Sequence, residues 1–203
     1  MLSAFTPVDA VVPLRNGSTS FTTDDVFNYN KDFTIDPVEP TQGRDNNKGL
    51  EGLTVDPTGT FAYGLLQSAG TQEGGLKKTD RRYVRLHKWN LATGAVVGEW
   101  VVALPVYTDT TDDNKLVVAE ESEIHYVSDT QFLILTRDKG RGHGQTDSTS
   151  LYRHVDVFDI SAATNIIGTY DAFNQSIAST SKLTLDVWYI IMSIILTISQ
   201  RAS

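Results

Sequence analysis

Residues 48–63 read KGLEGLTVDPTGTFAY, and this stretch decides the fold. Leu53 to Val55 is a short apolar run. Asp56-Pro57-Thr58-Gly59 is a turn: the proline presets φ at the second position and the glycine tolerates positive φ at the end. Phe61 to Leu66 then returns as a second strand, so residues 53–67 read as a hairpin. One residue does not belong to a core hairpin. Glu51, a carboxylate with Gly49 and Gly52 on either side, sits where the first strand begins.

Outward from this hairpin the same grammar repeats. Val84 to Leu91 alternates, Ala92-Thr93-Gly94 turns, and Ala95 to Leu104 returns. Glu123 to Val127 precedes a turn at Ser128-Asp129-Thr130, followed by Gln131 to Thr136, which is apolar on both faces as a strand covered on both sides should be. Val155 to Ile160 echoes Leu86 to Leu91, with Ala163-Thr164 just beyond. The spacing from Glu51 to Glu123 is 72 positions and that from Asn90 to Asp159 is 69. Two similar four-strand units, each with a long inserted loop, account for both offsets.

The fold expected is therefore all-β: a partial β-propeller-like array of four-stranded antiparallel units, with an all-β sandwich as the competing architecture. A third, partial strand region lies near Asp32 to Ile35. Residues 1–29 form an N-terminal segment of no clear type, and 30–181 form the propeller-like domain. Residues 182–203 are an Ile-rich tail of different composition. Its uncharged part, Val187 to Ile198, would extend only about 18 Å as a helix, against the roughly 30 Å of a bilayer core. No transmembrane span is expected there. The expectation is translated intron or frameshifted sequence, with a terminal core strand or an interfacial helix as the alternative.

Composition narrows the chemistry. The chain has 203 residues, 40% hydrophobic and 21% charged, with a formal charge of −8. No basic stripe exists to neutralise phosphates, so nucleic-acid binding is not expected; Lys77-Lys78-Thr79-Asp80-Arg81-Arg82 is short and reads as a solvated loop. With no cysteine, disulfides, thiol catalysis and thiolate metal sites are excluded. The N-terminus lacks a charged region followed by an apolar one, so no signal peptide is read in this chain. Asn16-Gly17-Ser18 and Asn174-Gln175-Ser176 are glycosylation sequons of little weight alone.

There is no HExxH, P-loop, GxSxG elbow or dinucleotide fingerprint. His87, His125, His143 and His154 show no metal-ligand spacing. Gly140-Arg141-Gly142-His143-Gly144 is a glycine loop whose backbone N–H groups would suit an anion, a common and weak signal. Asp109, Asp112 and Asp113 lack the glycine and distal glutamate of an EF-hand and read as a solvated loop. The candidates are Glu51, Glu123, Arg137 and Asp138. The two glutamates occupy matching places at the start of each strand pair, where propeller inner strands ring the channel mouth. Converging carboxylates can hold Ca²⁺ or another divalent cation, act as acid and base, or raise each other's pKa. Arg137 leaves the end of the second unit's inner strand pair and suits a carboxylate or a phosphate. The competing reading is scaffold: Glu51 fixing the blade through backbone hydrogen bonds, with Arg137 as its ion-pair partner.

A family likeness runs through the same residues. Asn47-Lys48-Gly49-Leu50-Glu51-Gly52-Leu53, the Asp56-Pro57-x-Gly59 turn, Tyr63 to Ser68, Arg85-Leu86-x-x-Trp89-Asn90 with Thr93-Gly94, Ser122-Glu123-Ile124 and Phe132 to Asp138 resemble the phytase-like, or "esterase-like activity of phytase", family. Tyr152 to Asp159 is closest to its fungal secreted members. The resemblance covers roughly residues 30–181. It implies a propeller-like domain, extracellular placement, and acidic residues suspected of hydrolysing a small-molecule ester or phosphoester, which fall here on Glu51, Glu123 and Asp138 with Arg137 beside them. Members of the family continue beyond the point where this chain enters its Ile-rich tail, and they begin with an export signal, so the chain reads as truncated. Arg141-Gly142-His143 does not match the Arg-His-Gly core of histidine acid phosphatases. Two further readings stand beside hydrolysis. One is a non-catalytic propeller module binding a carbohydrate, peptide or ion; the other is a fragment whose two units leave sheet edges uncovered and prone to aggregate.

Overall fold

The computed structural model describes residues 8–11, 14–15, 19–20, 42–45, 48–73, 81–138, 150–172, 175–177 and 188–190. The expected strand near Asp32 to Ile35, the Gly140–Gly144 loop, Lys77 to Asp80 and both sequon asparagines lie outside the described residues.

The strands, in chain order, are β1 (Leu14–Arg15), β2 (Thr19–Ser20), β3 (Leu50–Val55), β4 (Phe61–Leu66), β5 (Tyr83–Asn90), β6 (Val96–Ala103), β7 (Val106–Asp109), β8 (Lys115–Val118), β9 (Glu120–Tyr126), β10 (Gln131–Arg137), β11 (Arg153–Asp159) and β12 (Trp188–Ile190). Two four-stranded antiparallel sheets carry the structure, in the orders β3-β4-β5-β6 and β9-β10-β11-β12. Each is a simple meander. The fold is all-β, and the two sheets form a partial propeller-like array.

The turns follow from their residues. In the β3–β4 hairpin the Gly59 N–H donates to the Asp56 carbonyl at 3.0 Å, and Gly59 takes φ +68. The Asp56 carboxylate accepts the backbone N–H groups of Thr60 (2.8 Å) and Phe61 (2.7 Å) as well as the Thr58 hydroxyl. These bonds, led by the one from Thr58, hold its pKa below the usual carboxylate value. In the β5–β6 turn the Asn90 side chain accepts the N–H groups of Ala92 and Thr93.

The sheets share one core. Tyr63, Leu65 and Leu86 of the first sheet meet Ile124, Phe132 and Phe158 of the second, all of them buried. Tyr63 packs on Phe132 with ring centroids 5.0 Å apart. The first strands of the two sheets lie side by side: the Tyr126 N–H donates to Thr54 Oγ1 at 3.1 Å, and Gly52 lies against Ile124. Beyond the expected elements, β7 and β8 form a separate hairpin whose tip holds the Asp109, Asp112, Asp113 group. That tip is exposed; Asp109 accepts Thr111 N–H at 2.9 Å, and Asp112 pairs with Lys115 at 2.8 Å. In the Ile-rich tail, Trp188–Ile190 pairs with β11 as the fourth strand of the second sheet, with Phe158 opposite Tyr189.

Candidate functional site

Each inner strand carries a β-bulge at its starting end. In β3, Leu50 faces Leu66 and Gly52 faces Leu65, so Glu51 is the extra residue. In β9, Glu121 faces Thr136 and Glu123 faces Leu135, so Ser122 is extra. Counted by the bulges, Glu51 matches Ser122, and Glu123 matches Gly52. The 72-residue offset holds instead across the contact between the two inner strands, where Thr54 meets Tyr126. A bulge bends its strand and re-aims the side chains around it. Here both bulges turn toward the same rim.

Arg137, at the end of β10, is the hub of that rim. Its Nη2 lies 3.6 Å from Glu51 Oε1 and its Nη1 lies 3.9 Å from Glu120 Oε2. Its Nε donates to Ser122 Oγ at 3.2 Å. Glu120 is shared: Lys48 Nζ sits 2.6 Å from its Oε2, and Gln67 Nε2 donates to the same oxygen at 3.1 Å. Gln67 also ties the sheets through its backbone, accepting from Glu121 N–H (3.0 Å) and donating to the Gly49 carbonyl (2.9 Å).

Behind these charges lies Glu121, fully buried. Its Oε2 accepts the Gly52 N–H at 3.2 Å, while its Oε1 has no hydrogen-bond partner. Burial pushes its pKa up to about 8, and the nearby carboxylates of Glu51 and Glu123 add to that shift; the Gly52 N–H and Arg137 oppose it. Glu121 is therefore mostly protonated at neutral pH. A folded-state pKa raised from 4.5 means stability is lost as pH climbs from about 4.5 through about 8. Glu121→Gln, which cannot ionise, should gain stability over the parent across that window and hold the gain above it. Urea unfolding at pH 5, 7 and 9 measures this, and an unchanged difference between the two proteins would contradict it.

The four residues singled out in the sequence separate into two groups. Glu51, Glu123 and Arg137 gather around Glu121. Glu51 and Glu123 are both solvent-exposed, and Glu123 Oε1 accepts the N–H of Ile124 at 3.0 Å. Asp138 is buried and turned elsewhere: Oδ1 accepts Ser150 Oγ–H (2.8 Å) and Oδ2 accepts the Leu151 N–H (2.5 Å). Its own N–H reaches the Tyr152 carbonyl at 2.9 Å. Asp138 braces the two strand ends that flank residues 139–149, and Arg137 meets only its backbone carbonyl.

No three carboxylate or imidazole groups gather closely enough to hold a metal ion among the described residues. Glu51 and Glu120 are turned to cations of the chain itself, Arg137 and Lys48. Beside the rim a cleft of about 320 Å³ is lined by Lys48, Glu120, Asp45 and Arg81, with Val117 and Val118 of the β7–β8 hairpin as one wall.

Glu120, Glu121 and Lys48 were missed by sequence reasoning. Their signal was the acidic run Glu120-Glu121-Ser122-Glu123, of which only the last residue stood out by its spacing. A second buried charged group was also missed. Arg85, on β5, donates from Nε and Nη2 to Glu73 Oε1 (3.0 and 2.7 Å) and from Nη1 to Glu99 Oε1 (2.7 Å), all three side chains being at most 1% exposed.

Two consecutive antiparallel meanders, in contact at their first strands, place the chain in the all-β class, as a partial propeller-like array. Within that class the chain belongs to the phytase-like family: the family model described as "Phytase-like: Esterase-like activity of phytase" matches residues 15–186. The chain is 38% identical over 186 residues to an uncharacterized secreted protein of Arthroderma benhamiae, an alignment covering 88% of this chain and 36% of that protein. It thus spans about a third of the length of that curated relative. No solved structure matches it. No helix among the described residues is long and apolar enough to cross a membrane.

Proposed function

We propose that this chain is the rim-bearing part of a secreted phytase-like protein that hydrolyses ester or phosphoester bonds. In this reading Glu51 and Glu123 face solvent and divide the proton transfers between them. Arg137 stabilises negative charge developing on the acyl or phosphoryl oxygens. The observation that carries the reading is the convergence of Glu51, Glu123 and Arg137 on one rim, with Nη2 of Arg137 3.6 Å from Glu51 and both glutamates acting on Glu121. Asp138 has no chemical part in it, because both its oxygens accept hydrogen bonds from Ser150 and Leu151. Secretion is inferred from the name of the relative. Closure of a ring by further sheets belongs to the proposal, and Leu53 and Val55, 65% and 46% exposed on β3, are the apolar surface such sheets would cover.

The test belongs in a full-length relative. Glu51→Gln and Glu123→Gln, made at the matching positions, should each lower turnover of phosphoester and carboxylester substrates by roughly 10²-fold or more. Unchanged turnover in both would remove the hydrolytic reading. A second reading, a non-catalytic binding module, is favoured by the cleft of about 320 Å³ beside the rim, with Lys48 and Arg81 in its wall. Calorimetric titration with glycans and small anions separates the two: binding without turnover, abolished by Lys48→Ala, supports the module.

A further inference from the structure

The segment 164–172, with 175–177, lies across the outer edge of the first sheet as a strap. Ile166 N–H donates to the Glu99 carbonyl at 2.8 Å, and the Asn165 side chain accepts the Glu99 N–H at 3.0 Å. The Tyr170 carbonyl accepts from Arg85 Nη1 at 3.1 Å, and Ile177 N–H donates to Glu73 Oε2 at 2.7 Å. Ile166 and Ile177 are buried against Val101. The strap thus seals the charged group of Arg85, Glu73 and Glu99 from water.

Within that seal two carboxyl groups meet. Glu99 is fully buried, and its Oε1 takes the bond from Arg85 while its Oε2 has no hydrogen-bond partner. Asp171, on the strap, accepts the Gly168 N–H on Oδ2 at 2.6 Å; its Oδ1 is buried and also without a partner. The two side chains are within hydrogen-bonding reach of each other. Among the described residues, the neighbouring charged groups are these. From β5, Arg85 is committed to Glu73 and to Glu99 Oε1. His87, also on β5, lies 3.6 Å from Glu99 Oε1, and burial beside Arg85 drives its pKa down to about 3, so it is neutral. Glu73 faces Arg85 from the 3-10 turn Thr71–Glu73, and Asp9 shares with Asp171 the lining of a neighbouring cavity. None of these donates to the two lone oxygens. Two ionised carboxylates in contact in the interior repel strongly, whereas one proton turns the same contact into a charge-assisted O–H···O⁻ bond. A metal ion is the other way to join them, but no three suitable ligands gather there among the described residues.

We propose that Glu99, when protonated, donates to Asp171 and so forms a latch that fastens the strap in acid and loosens it toward neutral pH. The cavity of about 450 Å³ lined by Asp9, Gly168, Thr169, Asp171 and Gln175 gives the latch access to solvent protons. The direction follows from linkage. Burial raises the Glu99 pKa from 4.5 to about 7, and Asp171 pushes the same way. The closed strap then binds a proton that the open strap releases. Its stability is full below about pH 4.5, falls up to about pH 7 and is level above.

Amide hydrogen exchange of the full chain, corrected for intrinsic rates, tests this at Ile166 and Ile177. Their protection should fall by up to about tenfold for each pH unit between about 5 and 7. It should then level off, and in Asp171→Asn the fall should end at a lower pH, because burial still raises the Glu99 pKa while the contribution of Asp171 is gone. Carboxyl carbon NMR of the unmodified chain should report Glu99 titrating near neutral pH. Glu121→Gln, which removes another carboxyl of raised pKa, should leave the strap profile as it was. The latch is overturned if Glu99 titrates below about pH 5, if Asp171→Asn keeps the parent's pH profile, or if millimolar Ca²⁺ restores protection at pH 7.5.

Discussion

Replacing Arg85 with methionine should cost about 3–5 kcal/mol of folding stability at pH 8, the loss expected when one partner of a buried ion group is removed and its counter-charges stay behind. Arg85 is 1% exposed and pairs with two buried carboxylates, Glu73 and Glu99, at 2.7 Å each. Methionine fills much of the same volume, so the loss isolates charge from packing. The cost should shrink on acidification. Glu99 already has a pKa pushed up to about 7 by burial, and Arg85 is what restrains it. Without the guanidinium its pKa rises further, and at pH 5 it is neutral. Glu73, which also accepts Ile177 N–H and the Ser176 hydroxyl, keeps part of its support. Urea unfolding of parent and variant at pH 8 and pH 5 measures both effects. A loss under about 1 kcal/mol at pH 8, or a loss that grows in acid, would mean that the buried acids are not held by Arg85.

That group of charges was invisible in the sequence for a definite reason. Arg85, His87 and Glu99 stand on one face of β5 and β6, opposite the face that carries Leu86 and Val102. Polar residues alternating with apolar ones are the usual mark of a strand with one side in water. What buries them is the strap, whose Ile166 and Tyr170 lie more than sixty positions along the chain. The strands themselves were legible because their signals are local. Phe61–Leu66 is bounded on one side by an Asp-Pro-x-Gly turn, and the structure ends the strand at the same residues. The β7–β8 hairpin was read as an acidic loop. Its strands have four residues each, and its tip depends on Asp113 and Asn114 both taking φ of 54, a conformation that Asp and Asn tolerate without announcing it.

The rim was legible in part. Spacing picked out Glu51 and Glu123, and the order of residues picked out Arg137. Asp138 carried the same signal as Arg137 but sits on the other side of the backbone, where neighbouring residues of a strand end point. The one-residue offset between the two bulges could not be read, because a bulge exists only in the pairing with β4 and β10. Glu121 was hidden among the other carboxylates of the acidic run, and the contact of β3 with β9 distinguishes it.

That contact makes the second large prediction. Gly52→Ala should destabilise the chain by about 3 kcal/mol, combining overpacking with the loss of a buried carboxyl's hydrogen bond. A Cβ at position 52 would lie 2.1 Å from Glu121 Oε1, 2.8 Å from the Ile124 backbone nitrogen and 2.9 Å from Ile124 Cγ2. The nitrogen of Ile124 cannot yield without moving β9, because Ile124 is paired with Ile134. Separation of the inner strands would break the Thr54–Tyr126 bond and strip Glu121 of the Gly52 N–H. A second substitution distinguishes the two collisions. Glu121→Ala added to Gly52→Ala removes the 2.1 Å clash and leaves the 2.8 Å one, so it should recover part of the loss and not all. Full recovery would place the whole cost on the glutamate. No loss in Gly52→Ala alone would mean that the inner strands stand further apart, and Glu51, Glu123 and Arg137 would then not share a rim. Chemical unfolding of the three proteins therefore tests the packing on which the proposed site rests, without reference to any substrate.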